Sequence, residues 1–160
     1  MKKIFTLLFL STLVFTSCVN DDDVDFDTIG QTFEFTTTFN PGNEFGHRFF
    51  FNENIFDSDV VLVYRLEGVD NGLDVWEPLP TATIFLDDGS GGEITVLYRF
   101  NFTSGDVDVL LESNDPGLVP ANLTDNQTFR IVVVPASFAE NTDINLSDFN
   151  AVQSALNLEF

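Results

Sequence analysis

Apolar and polar residues alternate along most of the chain, which is the period of a β-strand with one buried face. In residues 32–39, for example, Phe33, Phe35 and Phe39 share one face, while the other carries Thr32, Glu34, Thr36 and Thr38. The pattern predicts strands over residues 32–39, 44–52, 59–67, 73–79, 81–86, 93–103, 106–112 and 128–134. Residues 59–67 are apolar almost throughout, which is typical of a central strand.

Turn-forming residues separate these segments at intervals of roughly 8–12 residues. Asn71-Gly72 is a strong signal for a two-residue β-hairpin turn, and the glycine-rich residues 86–93 predict a loop. Strands and helices do not alternate, which argues against a parallel sheet. The pattern therefore predicts an all-β fold, an antiparallel β-sandwich (immunoglobulin-like) of about eight strands with a short C-terminal helix. A closed β-barrel is the alternative.

The hydrophobic period changes to that of a helix near the C-terminus. Phe149, Val152 and Leu156 are spaced i, i+3 and i+7, so they fall on one helical face. Ser147 is a predicted N-cap, with Asp148 in the first turn. We expect this helix to cover an apolar sheet face or one end of the sandwich.

The N-terminus has the layout of an export signal. Two lysines precede an apolar stretch, residues 4–15, which is shorter than the roughly 20 residues that span a bilayer. Ser17 and Cys18 follow, and this junction resembles the lipobox of bacterial lipoproteins, although Phe15 stands where that family prefers leucine. The resemblance implies cleavage before Cys18 and lipidation of its thiol with diacylglycerol, whose acyl chains include palmitate. The alternative is an ordinary signal peptide with an incidental cysteine.

Five aspartates lie within the ten residues after Cys18. A like-charge cluster of this kind stays solvated, so it predicts a flexible tether. It also resembles the acidic export signal of surface lipoproteins in the Bacteroidota, which implies an outer-membrane location facing the cell exterior; the inner leaflet is the alternative. Residues 27–29 match a short O-glycosylation pattern of that phylum, with Thr28 as acceptor. The predicted division is a signal peptide (1–17), a lipidated tether (18–28) and a β-sandwich domain (29–160).

Composition narrows the choice of partners. The chain has 26 acidic and only 6 cationic side chains, with a formal net charge of −20. This charge repels phosphate backbones and anionic headgroups, so it disfavours nucleic acid and requires the lipid for membrane attachment. It attracts Ca²⁺ and basic partners. With Cys18 lipidated, no thiol is left for a disulfide or a Cys-based metal site, and the 19 phenylalanines must supply the core.

Few residues are candidates for catalysis. The single histidine, His47, alternates with phenylalanines in its strand, which favours a packed or edge histidine over a catalytic base. Carboxylate pairs suited to glycoside hydrolysis arise by chance among so many acids, and nothing marks one pair out. The sequence therefore predicts that the protein is not an enzyme, with a hydrolase as the least supported hypothesis.

Two features are candidates for ligand binding. Asp87, Asp88 and Glu93 surround the glycine-rich loop and are weak Ca²⁺ candidates, although a plain hairpin loop is favoured and no cofactor is predicted. Trp76 lies opposite Leu73 and is a candidate for glycan contact if its ring is exposed, although partial burial in the core is favoured. We thus expect a non-enzymatic binding or structural module that meets an envelope protein, with a glycan-capturing lipoprotein as the alternative.

Overall fold

The structure of the chain is dominated by β-strands. A computed structural model describes residues 30–140 and 143–158. Within these residues the strands are β1 (Gln31–Thr37), β2 (Gly46–Phe50), β3 (Val60–Asp70), β4 (Leu73–Pro78), β5 (Ile84–Asp87), β6 (Glu93–Phe102), β7 (Asp106–Ser113) and β8 (Gln127–Val134). The same residues form helices α1 (Ala121–Thr124), α2 (Ala136–Glu140) and α3 (Phe149–Leu156). Each predicted strand is present, with bounds that shift by a few residues.

The strands of the described residues form two antiparallel four-stranded sheets. One has the order β1-β8-β3-β4 and is named the covered sheet, because α3 lies on its outer face; the other, β2-β7-β6-β5, is named the open sheet. The predicted β-sandwich with a short C-terminal helix is confirmed. Its strand order places β1 beside β8, whereas the first strand of an immunoglobulin domain lies beside the second.

Aromatic and β-branched side chains fill the space between the sheets. Val96 and Tyr98 of β6 are fully buried there, as is Phe129 of β8. Rings from the two sheets meet directly, since the centres of Phe33 in β1 and Phe49 in β2 are 5.2 Å apart. This core is the apolar face of the alternating pattern, and it explains why so many phenylalanines occur in so short a chain.

A second apolar cluster lies on the outer face of the covered sheet, beneath α3. Tyr64 of β3 and Val132 of β8 are buried there against Phe149 and Val152 of the helix. The Tyr64 hydroxyl donates a hydrogen bond of 2.5 Å to the carbonyl of Leu146, which fixes the segment before α3 to the sheet. Strand β8 and residues 60–65 of β3 are thus largely buried on both faces, which explains their nearly continuous apolar sequences. The expectation that the helix covers a sheet face is confirmed.

Helix α3 begins one residue later than the sequence predicted. Asp148 is the N-cap, because its carboxylate accepts hydrogen bonds from the amides of Asn150 (3.0 Å) and Ala151 (3.2 Å). The prediction that Ser147 caps the helix was wrong; aspartate caps as well as serine, and its charge also suits the positive end of the helix dipole. Helix α2 was not predicted. No helix among the described residues has the length and apolar character needed to cross a bilayer.

The outer face of the open sheet carries charged side chains that pair across strands. Arg48 of β2 donates two hydrogen bonds of 2.7 Å to the Asp108 carboxylate of β7. Arg99 of β6 pairs with Glu112 of β7. The buried clusters of the described residues lie between the sheets and under α3, so this outer face is left to the solvent.

Candidate binding site

The hairpin of β3 and β4 carries apolar side chains that are not packed in the core. Its turn is Asn71-Gly72, whose φ angles of 51° and 83° are both positive, as a type I′ turn requires. The predicted hairpin is therefore confirmed. Near the turn, Val69 exposes 66% of its surface and Leu73 exposes 74%. Apolar side chains with this exposure, at the end of an otherwise well-packed sheet, suggest a contact surface.

A groove of about 440 Å³ lies between β4 and the start of α3. It is lined by Asp70, Leu73, Asp74, Val75, Trp76, Ser147, Asp148, Phe149 and Asn150. These residues, named here the hairpin groove, combine apolar surface with carboxylates and with hydroxyl and amide groups. The lining contains neither histidine nor arginine. Its chemistry therefore suits recognition by charge, apolar contact and hydrogen bonding.

Trp76 is half-buried in the wall of this groove. The guanidinium carbon of Arg130 lies 4.0 Å from the centre of its ring, and the Phe149 ring centre lies 5.6 Å away. The face of β4 opposite Leu73 is the one that α3 covers, so Trp76 is partly buried. The partial burial that the sequence favoured is therefore what the structure shows.

Arginines pair with carboxylates outside the hairpin groove. Within the described residues, the ion pairs join Arg48 to Asp108, Arg65 to Glu77, Arg99 to Glu112 and Arg130 to Glu34. The carboxylates in these pairs are supplied by neighbouring strands and are not groove residues. The arginines of these pairs thus link neighbouring strands. The exposed acids Asp70 and Asp74 lie on the hairpin, and neither belongs to one of these ion pairs.

His47 lies on β2, away from the hairpin groove. Its ring stacks on Phe35 with 4.5 Å between the ring centres, and burial lowers its pKa below the ordinary value. A shallow groove of about 280 Å³ beside it is lined also by Glu44, Arg48 and Asp108. Because Arg48 already holds Asp108, this carboxylate is engaged in an ion pair beside His47. The packed histidine that the sequence favoured is therefore what the structure shows.

The glycine-rich loop connects β5 to β6 as a hairpin. Asp87 accepts a hydrogen bond of 2.7 Å from the amide of Gly89, and Asp88 accepts from the amides of Ser90 (2.7 Å) and Gly92 (2.8 Å). These amide hydrogen bonds lower the pKa of Asp88. The carboxylates thus stabilise the loop's own backbone, and the described residues contain no group of three or more histidine, cysteine or acidic side chains that could hold a metal ion.

Two predicted modification sites, Cys18 and Thr28, lie outside the described residues. The hairpin groove was not predicted from the sequence, although part of its signal was present. Strand β4 alternates Leu73 and Val75 with Asp74 and Trp76 next to an Asn-Gly turn, so one hairpin carries both apolar and acidic groups. The contribution of Asp148 depends on where α3 packs, which no local pattern specifies.

Comparison of the chain with protein-family models, with curated proteins and with solved structures gave no match.

Proposed function

We propose that this protein is a lipid-anchored, non-enzymatic binding module of the bacterial cell envelope. The anchor is Cys18, followed by the acidic tether of residues 18–28, and the domain faces the cell exterior from the outer membrane. The small-residue–cysteine junction after a short apolar stretch and the aspartates that follow it support this location. The domain meets an envelope protein through the hairpin groove.

One observation carries the binding role. The hairpin exposes Leu73 and Val75 beside Asp70 on one face and Val69 beside Asp74 on the other, whereas β8 in the middle of the same sheet is buried on both faces. Isolated exposed apolar residues are ordinary, but a group of them rimmed by charge is typical of a contact surface. The carboxylates, apolar side chains and neutral polar groups of the groove support recognition of a partner by charge and apolar contact.

The location is tested by adding protease to intact cells, with a periplasmic protein as the protected control. Digestion of this protein while the control survives is expected. Survival in intact cells followed by digestion after lysis would contradict the surface location. In a second experiment, Cys18→Ser should remove the protein from the detergent-rich phase; unchanged partitioning would contradict the lipid anchor.

The binding role is tested by site-specific photocrosslinking in intact cells. A photoreactive residue at Leu73, in the hairpin, is compared with one at Asp57, an exposed position just before the other end of β3. A discrete protein adduct from Leu73 that is absent from Asp57 is expected. The same adducts from both positions, or none from Leu73, would contradict a protein contact at the hairpin.

A glycan-capturing role is the second candidate. The hairpin groove is lined by Trp76, Ser147 and Asn150 as well as by carboxylates. Sugars are bound by aromatic rings together with such polar groups. Because the chain has one tryptophan, its fluorescence reports on this groove directly. Glycan capture predicts that soluble polysaccharides change the fluorescence of Trp76 and that Asn150→Ala weakens this response.

A further inference from the structure

We propose that the hairpin groove and the free edge of β4 bind an extended segment of a protein partner in which apolar residues alternate with lysine or arginine. This inference rests on the proposed function and specifies the chemistry of the partner. The segment adds to the covered sheet as a further strand, antiparallel or parallel to β4.

The backbone of β4 is available for strand addition. It is the outermost strand of the covered sheet, and the amide of Leu79 donates to the carbonyl of Val63 in β3 at 2.9 Å. Amide directions alternate along a strand, and the β-bulge in this pair lies on β3, so the amides of Asp74 and Trp76 point away from β3. Pro78 occupies the next outward position, which a residue without an N–H can fill. The edge thus offers two donors to an added strand.

The side chains of β4 determine what such a strand must carry. Leu73 and Val75 lie on one face, and Asp74 and Trp76 lie on the other, where Asp148 at the start of α3 borders the groove. Side chains of an added strand alternate in the same way and lie beside their neighbours in β4. Apolar residues of the segment therefore meet Leu73 and Val75, and its intervening residues meet Asp74 and Trp76, with the Asp148 carboxylate across the groove.

Charge selects a cationic segment as the occupant. The net charge of the chain is −20, so a second copy of the protein, or its own acidic tether, would bring more negative charge to an acidic site. Asp70 and Asp74 are exposed and lie outside the arginine pairs of the strands. Lysine or arginine in the segment supplies the missing positive charge. Binding then weakens as salt screens these contacts, over a Debye length of about 8 Å at physiological ionic strength.

The first test measures the fluorescence of Trp76 in the full-length protein, purified in a nonionic detergent. The probe is a peptide of alternating valine and lysine, and its matched control is a peptide of alternating valine and glutamate. Neither peptide contains an aromatic residue, so any change comes from the protein. A saturable change with the lysine peptide and none with the glutamate peptide is expected. No change with the lysine peptide would overturn the proposal.

Two variants separate this site from general attraction to an acidic protein. Asp74→Lys and Asp57→Lys change the net charge equally, but Asp57 lies beyond the far end of β3, roughly 33 Å from the hairpin turn. We expect Asp74→Lys to weaken peptide binding about tenfold and Asp57→Lys to change it less than about twofold. Because both positions are exposed and both changes reduce the repulsion within this acidic chain by the same charge, the two variants should unfold at the same urea concentration as each other. Equal weakening by the two variants would overturn the proposal.

Hydrogen exchange tests the mode of binding. The amides of Asp74 and Trp76 should exchange more slowly when the lysine peptide is bound, while amides on the far side of the open sheet keep their rates. Binding that leaves both rates unchanged would overturn strand addition.

Failure of this inference can be distinguished from failure of the proposed function. A discrete crosslink from Leu73 in cells, without any response to the lysine peptide, would leave the binding role standing and overturn this class of partner. A polysaccharide that changes the fluorescence of Trp76 when neither peptide does so would overturn the protein segment as occupant and support glycan capture.

Discussion

The two sheets of the sandwich differ in what lies against their outer faces. On the covered sheet, α3 buries Tyr64 and Val132, so its central strands contribute apolar area on both sides. On the open sheet, the corresponding face carries ion pairs such as Arg48 with Asp108, in contact with water. Burial of apolar area stabilises far more than exposed ion pairs do. The covered sheet therefore buries apolar side chains on both faces and the open sheet on one, and the exposed end of the covered sheet is the hairpin.

Two arginines, one on each sheet, also differ in how deeply they are buried. Arg130 of the covered sheet is 9% exposed, lies over the Trp76 ring and pairs with Glu34. Arg48 of the open sheet has a side chain that is half-exposed, although its geometry with Asp108 is bidentate. The first arginine is part of a packed aromatic cluster, and the second is a surface ion pair. Predictions that compare matched substitutions on the two sheets therefore test this distinction.

The largest expected effect comes from Phe149→Ala in α3. Phe149 is 2% exposed, and its ring centre is 5.1 Å from that of Tyr64, so truncation leaves a cavity between the helix and the covered sheet. We expect a loss of about 3–5 kcal/mol in the free energy of unfolding. The matched change on the open sheet, Phe85→Ala, removes a ring that is 62% exposed and should cost less than about 0.5 kcal/mol.

Urea unfolding followed by circular dichroism measures both variants. Losses of similar size would show that α3 does not stabilise the covered sheet and would contradict the comparison.

The sequence predicted the strands because alternation is a local property. The apolar faces of β6 and β7, which include Val96 and Val109, follow directly from the period of two. The pairing of β1 with β8 joins segments at the two ends of the domain, and no local pattern encodes it. The same limit explains why buried Arg65, which donates to Gln127 at 2.8 Å, was not anticipated as a core residue.

The candidate site was less predictable than the fold. Trp76 and Asp74 come from β4, whereas Asp148 comes from the start of α3, and these segments are brought together only when the helix packs on the sheet. The sequence favoured partial burial of Trp76 but did not identify α3 as its cover, because the helix is distant in the chain. A site assembled from distant segments can be located once their packing is known, and hydrophobic periodicity does not provide that information.

The next largest effect is expected from Arg130→Met on the covered sheet. The change removes the cation above Trp76 and the ion pair with Glu34, and the remaining carboxylate is half-exposed and can be hydrated. We expect a loss of about 1–2 kcal/mol in the free energy of unfolding and a changed emission maximum of Trp76. Arg99→Met on the open sheet should cost less than about 1 kcal/mol and leave the emission unchanged.

Equal losses of unfolding free energy in the two arginine variants would mean that the burial of Arg130 does not increase its contribution to stability. Urea unfolding and emission spectra of the same samples provide both measurements.

A smaller effect separates the two residues at the start of α3. Asp148→Ala removes the acceptor of the Asn150 and Ala151 amides and should cost about 1 kcal/mol in the free energy of unfolding. Ser147→Ala, one residue earlier, removes no hydrogen bond to a helix amide and should change stability by less than about 0.3 kcal/mol. A larger loss for Ser147→Ala, measured by thermal unfolding under identical conditions, would return the N-cap to Ser147 and contradict the observed start of α3.

The smallest effect concerns the pH dependence of the open sheet. Hydrogen bonds from Arg48 lower the pKa of Asp108, so this pair contributes stability above the unfolded pKa of about 3.9, and the contribution is lost as the pH falls through the lower folded value. Because both side chains are partly exposed, we expect Asp108→Asn to cost less than about 1 kcal/mol at neutral pH. Asp57→Asn removes the same charge from an exposed loop and controls for reduced repulsion in this acidic chain. At neutral pH Asp108→Asn should unfold at lower urea than Asp57→Asn, and the difference should shrink as the pH falls below about 4. If the two variants still differ in unfolding urea concentration at acidic pH, the effect comes from the packing of Asp108 and not from its charge. The outer face of the open sheet would then be stabilised by packing, as the outer face of the covered sheet is.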